Sequence, residues 1–349
     1  MTDALLIETA DKVLSSVATL EAIEAAEVTR WSGPIWDAVA EIGLPWISVP
    51  EVNGGVGGSL GDAIDVLVQV GRHAAPIPMA ETGLLGGWLL AHAGLEVGDG
   101  PVSVVPGHGD DDLRLEGGRL FGTAHRIAWA SSVDRLAALV GGQIVVVSPA
   151  HGAISAVSNV AGEPRDTVRF AGATPEAVTP APDGVTPEAL RRRGALSRAA
   201  LMAGALGAMS DLSVAYTAER RQFGKPVGSF QAVQALLVRA AEEAVLVDLA
   251  VQVAARETER GEGAFETVSA KILANEAARA ATRAAHQAHG AMGATREYPL
   301  HHLSRRLWAW RAEYGDAQWP ALLGDALIEH GADDLYDVIA DGSASTLSL

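Results

Sequence analysis

Arg220-Arg221-Gln222-Phe223-Gly224-Lys225-Pro226-Val227-Gly228-Ser229-Phe230-Gln231 separates two long helical patterns and gathers three cations, two glutamines and two aromatic rings at their junction. Upstream, residues 190–219 read as one apolar-rich helix. Gly224 and Pro226 end it, because proline lacks the amide that the next turn needs. The following helix is expected to start near Ser229. Arg220, Arg221 and Lys225 therefore stand at a helix C-terminus, where cations complement the dipole and where a phosphorylated ligand can be held. On residue types alone, a solvated interhelical turn that caps the dipole is the favoured explanation of the stretch.

Downstream, Val233, Leu236, Leu237, Ala240, Ala241 and Ala244 share one helical face that continues through Val247, Val251 and Ala254. A further helix is expected over 265–289, with Leu273, Ala277, Ala280, Ala281, Ala284 and Ala288 making a narrow face that permits close helix approach. With a helix near 319–330 this predicts a C-terminal four-helix bundle over 186–340, followed by a flexible tail, 341–349. A second unusual turn, Gln287-Ala288-His289-Gly290-Ala291-Met292-Gly293, closes the alanine-faced helix. Its glycines let backbone amides approach a ligand, so the two turns together are suited to a pyrophosphate.

Toward the N-terminus, helical patterns over 2–26, 34–42, 59–73 and 82–94 define an N-terminal helical domain, 1–97, with a glycine-rich loop at 49–58. Short β-like runs then appear at 102–105, 113–115, 119–121, 136–140, 144–147 and 167–170. Gly117-Gly118 and Gly141-Gly142 sit between apolar runs as hairpin turns do, which predicts a central antiparallel β-sheet or barrel over 98–185. Residues 171–185 read as a crossing loop, and Thr186-Pro187-Glu188 as a helix start. The fold class is thus mostly α with a small β domain.

The 349 residues carry 26 Lys and Arg against 43 Asp and Glu, 26 − 43 = −17, which argues against nucleic acid and anionic membrane as partners. There is no cysteine, hence no disulfide and no thiolate chemistry. The longest uncharged apolar run, 199–210, is too short to span a bilayer, and the N-terminus is acidic; a cytoplasmic protein is expected. His286 with His289, and the nearby His301-His302, raise a metal site, but no carboxylate stands at helical spacing to complete the first pair, so no metal is expected. Arg191-Arg192-Arg193 reads as a solvated helix start, and Trp308, Trp310 and Trp319 as core or interface anchors.

Four segments bear a resemblance to the acyl-CoA dehydrogenase family, in the order that family has them. Pro50-Glu51-Val52-Asn53-Gly54-Gly55-Val56-Gly57 is similar to its P-E-x-x-G-G-x-G loop, and Arg220 to Pro226 with Phe230-Gln231 to its R-x-Q-F-G-x-P…Q signature. Gln287 to Gly293 resembles Q-x-x-G-G-x-G, and Glu297-Tyr298-Pro299-Leu300 with Arg305 its continuation. The resemblance implies FAD held across a subunit interface, its ADP portion gripped by one protomer's bundle and its isoalloxazine lying in the neighbour's active site. Carried over, Arg220 and Gln222 would contact the pyrophosphate, Phe223 would pack beside it, and Gln287, Gly290 and Gly293 would serve the adenosine side.

The departures cluster elsewhere. That family removes an α-proton with a carboxylate while a β-hydride passes to flavin. Tyr314 of Glu313-Tyr314-Gly315-Asp316 occupies the usual base position, and the alternative position falls near Gly194. The catalytic residue is therefore unassigned in this chain. The ring-contacting segments are reduced to Val104-Val105-Pro106-Gly107-His108-Gly109-Asp110 and Arg126-Ile127-Ala128-Trp129. The resemblance implies a lipid-metabolising oxidoreductase in which this chain is the short, base-lacking subunit of a hetero-oligomer, a heterotetramer, whose longer partner carries the base and takes the acyl-CoA substrate. Two alternatives stand beside it: a homo-oligomeric enzyme using Glu313 or Asp316 as a displaced base, and a non-catalytic scaffold without flavin.

Overall fold

The computed structural model describes residues 4–315 and 318–329, with 331, 336, 338 and 347. The chain divides into two compact units, residues 1–66 with 75–194 and residues 67–74 with 195–349. Asp316 and most of the 341–349 tail lie outside the described residues.

The first unit opens with α1 (Ala4–Val17), α2 (Leu20–Thr29) and α3 (Gly33–Glu41). The single pattern expected over 2–26 is broken at Thr19, whose hydroxyl accepts from the Ala22 amide at 3.2 Å and so starts a new helix. α4 (Leu60–Arg72) begins with a reciprocal cap in which the Ser59 amide donates to the Asp62 carboxylate (2.9 Å) and the Asp62 amide to the Ser59 hydroxyl (3.0 Å). The helix expected at 82–94 is a π-helix, Ala80–Gly87, running into α5 (Trp88–His92). All eight π-helical residues are buried, and a Cβ on Gly83 would lie 2.2 Å from the Pro45 carbonyl oxygen. Small residues let this wide turn press against backbone.

Eight strands follow: β1 (Val102–Val104), β2 (Arg114–Glu116), β3 (Arg119–Ala128), β4 (Arg135–Val140), β5 (Gln143–Val147), β6 (Ala153–Ser155), β7 (Arg165–Ala173) and β8 (Ala177–Pro180). They form two four-stranded sheets, ordered β1-β4-β5-β8 and β2-β3-β7-β6, rather than one sheet or a closed barrel. β1 pairs in parallel with β4, and the other neighbours are antiparallel. Both glycine pairs turn hairpins as expected, β2 into β3 and β4 into β5, with positive φ at all four glycines. β8 lies inside the stretch expected to be a loop; its four residues alternate between half-buried and exposed, too short a signal to stand out among prolines. Leu120, Ile127, Leu136, Val145, Val168 and Phe170 fill the core beneath. Arg193 is not solvated: its Nε donates to the Leu84 carbonyl at 3.1 Å and its guanidinium lies 4.7 Å over the Trp88 ring.

α6 (Pro187–Glu219) enters the second unit at Ala195 and is capped as expected, with the Ala189 amide donating to the Thr186 hydroxyl at 3.1 Å. Its length and composition would suit a membrane span, but 61% of its most apolar window is buried, as in a core helix. A short hairpin follows, β9 (Arg221–Gln222) and β10 (Lys225–Pro226), then α7 (Gln231–Glu259), α8 (Ala264–His289), α9 (Leu300–Ala312) and α10 (Gln318–Glu329). α9 is additional to the four helices expected from the sequence. Its sequence, Leu-His-His-Leu-Ser-Arg-Arg-Leu-Trp-Ala-Trp-Arg-Ala, hides the apolar face among buried polar residues.

Within this unit the last turns of α4 touch α6 backbone to backbone. A Cβ on Gly71 would stand 1.9 Å from the Leu201 carbonyl oxygen, and one on Gly204 would stand 1.8 Å from that of Val68. Gly204→Ala is accordingly expected to lower stability by at least about 1–3 kcal/mol, the overpacking range, read as a lower denaturant midpoint. A midpoint equal to the wild type's would show that the helices can part at no cost.

Candidate functional site

α6 ends where the Arg220 amide makes its last helical bond, to the Tyr216 carbonyl at 2.9 Å; the Arg220 carbonyl then accepts from Val227 at 2.7 Å. The chain between them turns as a hairpin on Phe223 (φ 51°) and Gly224 (φ 78°), with Gln222 paired to Lys225. The next helix begins at Gln231 rather than Ser229: Val227–Ser229 form a 3-10 turn, and the Ser229 hydroxyl donates to the Pro226 carbonyl instead of capping. α8 ends at His289, and Gly290–Ala294 form a second 3-10 turn.

These two turns line an open cavity of about 500 Å³ within the second unit. Arg220 and Gln222 line it from one turn, and Gln287, Gly290 and Met292 from the other, with Tyr216 and His289 beside them. Of the six residues singled out in the sequence, four are thus brought together. Phe223 is not among them: it is 91% exposed at the hairpin tip, edge-on to Phe230 at 6.1 Å. Gly293 is also absent from the lining. It is buried, and a Cβ there would meet the His289 Cβ at 2.9 Å and Leu300 at 3.0 Å, so its role is to let the turn fold back on the helix.

Tyr216, His289 and Tyr298 join the two turns, and sequence reasoning missed them. The Tyr216 and His289 rings stack at 4.6 Å and 20°, while Tyr298 packs against both at 5.5 and 5.0 Å. Burial pushes His289 below the ordinary imidazole range, opposed by the Ala285 carbonyl, and burial foremost raises the Tyr298 phenol. His289 Nδ1 lies 2.8 Å from the Ala285 carbonyl oxygen, an acceptor only, so Nδ1 carries the proton. Nε2 of the neutral ring then accepts from the Tyr298 hydroxyl at 3.3 Å. His286 pairs with the Ser304 hydroxyl at 3.1 Å, and His301 Nδ1 with the Tyr298 carbonyl at 2.9 Å. The spacing of Tyr216 four residues before Arg220, on the same helix face, was the available signal.

The turn after α9 is a second locus. Tyr314 is buried with φ 54°, and the Trp319 indole donates to its carbonyl at 2.7 Å. Glu313 is held by Arg198 Nε at 2.6 Å, and the same guanidinium lies 5.1 Å over the Tyr314 ring. Lys271 Nζ donates to Asn275 and to the Trp310 carbonyl, both at 2.8 Å, and to the Arg311 carbonyl at 3.1 Å, capping the end of α9. Gly194, at the alternative base position, is a buried α6 residue without a side chain. In the first unit, Asp110 pairs with Arg126, while Asp111 accepts from the His108 and His125 amides, both at 2.7 Å. Those two segments are therefore tied to each other.

Residues 190–318 match the model of the acyl-CoA dehydrogenase C-terminal domain. The chain is 30% identical over 287 residues to the acyl-CoA dehydrogenase FadE28 of Mycobacterium tuberculosis, covering 76% of this chain and 84% of that one. It is also 30% identical over 296 residues to the acyl-CoA dehydrogenase FadE34 of the same organism, covering 81% of this chain but only 40% of the longer FadE34. Its fold is that of a chain in the crystal structure of the ChsE4-ChsE5 complex from Mycobacterium tuberculosis, with TM-score 0.86 at 22% identity over 94% of this chain and 98% of that one.

Arg198 is 2% exposed and Glu313 17%, so Arg198→Met would leave a largely buried carboxylate without its guanidinium. A loss of about 3–5 kcal/mol is expected, against a smaller loss for Arg198→Met with Glu313→Gln. Denaturant unfolding of the single and double variants measures the difference; equal losses would mean that the pair is not coupled.

Proposed function

The chain belongs to the acyl-CoA dehydrogenase family, and from that membership we propose that it serves as the short subunit of a hetero-oligomeric, FAD-dependent acyl-CoA dehydrogenase. The contrast between its two loci carries the reading. The cavity at Arg220 keeps the donors that a diphosphate needs, whereas the base position holds Tyr314, and the nearest carboxylate, Glu313, is spent on Arg198.

The residues present fit the ADP portion of FAD. Arg220 offers a fixed fork of charge-assisted donors for phosphate oxygens, Gln222 and Gln287 add neutral donors, and Gly290 leaves backbone open at the cavity wall. When bound, the flavin supplies the acceptor for the hydride leaving the acyl β-carbon. This chain holds and orients the nucleotide end. Removal of the α-proton falls to a carboxylate of the longer partner, because a general base must lie within hydrogen-bond reach of the proton and have its lone pairs available. The Asp110–Arg126 pair supports the same division, since it occupies two segments that would otherwise face the flavin ring. Assembly is supported by Val238, Val245, Leu246 and Leu249, an exposed apolar face along α7 with the exposed Phe223 at the hairpin tip. A heterotetramer with two copies of each subunit closes such an assembly by twofold symmetry.

The test is to purify this chain alone and together with a longer, base-bearing acyl-CoA dehydrogenase chain, then read flavin absorbance and acyl-CoA oxidation. Flavin and turnover are expected in the complex only. Full flavin occupancy with turnover by the isolated chain would overturn the proposal, and a stable complex without flavin would favour a scaffold. Arg220→Ala should weaken flavin retention by about 1.5–3 kcal/mol, roughly tenfold or more, with circular dichroism unchanged; undiminished retention would remove Arg220 from the phosphate site.

A further inference from the structure

The cavity is built from two turns that belong to different helices, and nothing in either turn alone fixes their register. Arg220 and Gln222 follow α6; Gln287 and Gly290 end α8. Tyr216 occupies the last turns of α6, His289 the last residue of α8, and the two rings are stacked at 4.6 Å. His289 is 3% exposed, and its two ring nitrogens reach in opposite directions, to the carbonyl of its own helix and to the Tyr298 hydroxyl beyond the second turn. One side chain thereby ties three segments: the end of α6, the end of α8 and the strand of chain leading into α9.

We propose that His289 is the positioning residue of the nucleotide site, acting as a neutral imidazole that registers the Arg220 turn against the Gln287 turn. This rests on the reading of the cavity as the FAD diphosphate site. Burial of the ring favours the neutral form. Nδ1–H is committed to Ala285, so a second proton on Nε2 would face the hydroxyl hydrogen of Tyr298, which must rotate away. The groups around this ring are Tyr216 from α6, Arg220 from the turn after it, His286 from α8 and Tyr298 from the connecting segment, while Glu219 acts on Tyr298, and His301 and Ser304 meet His286. Glu219 is the only carboxylate among these, and it acts on Tyr298 rather than on the imidazole. Protonation therefore reverses the bond to Tyr298, whose hydroxyl becomes the acceptor, and places a positive charge on a ring that is 3% exposed, beside His286. The sign follows: burial sets His289 below the ordinary imidazole range, so the uncharged arrangement holds at neutral pH and is lost as pH falls through that lowered value.

The experiment measures FAD retention by the complex from about pH 8 to about pH 5 for the wild type, His289→Phe and Tyr298→Phe. His289→Phe keeps a ring on Tyr216 and cannot titrate; Tyr298→Phe keeps its ring and loses the donor. For the wild type, retention is expected to weaken about tenfold toward the acid end, where a charge falls on the buried positioning ring. His289→Phe is expected to sit near that weakened level at every pH and Tyr298→Phe to start below the wild type at neutral pH, both with melting temperatures at neutral pH close to the wild type's. A flat wild-type profile, or variant profiles that overlay it, would overturn the role of His289 while leaving the flavin reading intact. A wild-type complex that holds no FAD would overturn both.

Discussion

Small side chains set the constraint on which the second unit depends. α8 turns Ala277, Ala281, Ala284, Ala285 and Ala288 inward, and α7 answers with Ala240, Ala244 and Ala254. Helices faced in this way approach closely, and the glycine contacts between α4 and α6 take the same device to backbone contact. Close approach leaves little slack at the helix ends. The turn after α6 and the turn after α8 are thus brought to one place, and the cavity between them is a consequence of how the helices pack rather than of any loop folding by itself.

A unit packed on alanine still buries Arg198, Lys271 and Arg306. Burying a charge is costly unless it is paired and hydrogen-bonded, so partners must be found within the fold. Lys271 finds carbonyls at the end of α9, where the helix dipole also favours a cation. Arg198 finds Glu313 and the face of Tyr314. These contacts fix the turn that holds Tyr314. Physical stability and proton abstraction make opposing demands on a carboxylate, because one held by a buried guanidinium is a poor base. In this chain Glu313 is held by Arg198, while Arg220 and Gln222 of the same unit stand exposed at the cavity.

Much of this was legible in the residues. Gly-Gly pairs located two hairpins because only glycine takes positive φ at both turn positions without cost. Thr186-Pro187-Glu188 marked the start of α6, and the arginine–glutamine turn with its glycine-rich counterpart marked the two walls of the cavity. Other features had no local signature. β8 is four residues long among prolines, the π-helix has an ordinary helical composition, and α9 buries polar residues on a face that hydropathy reads as exposed. Phe223, expected beside the cavity, stands exposed at the tip of the hairpin, outside its lining.

By itself the sequence determined most of the long helices, the two turns and the absence of a carboxylate at Tyr314, since periodicity, turn chemistry and residue identity are properties of the chain. Only the tertiary structure decided which of those residues meet. It joined Tyr216 to His289 across two helices and Arg198 to Glu313 across 115 residues, and it withdrew Gly293 and Phe223 from the cavity. Such pairings depend on where close-packed helices end in space, and no local pattern encodes that position.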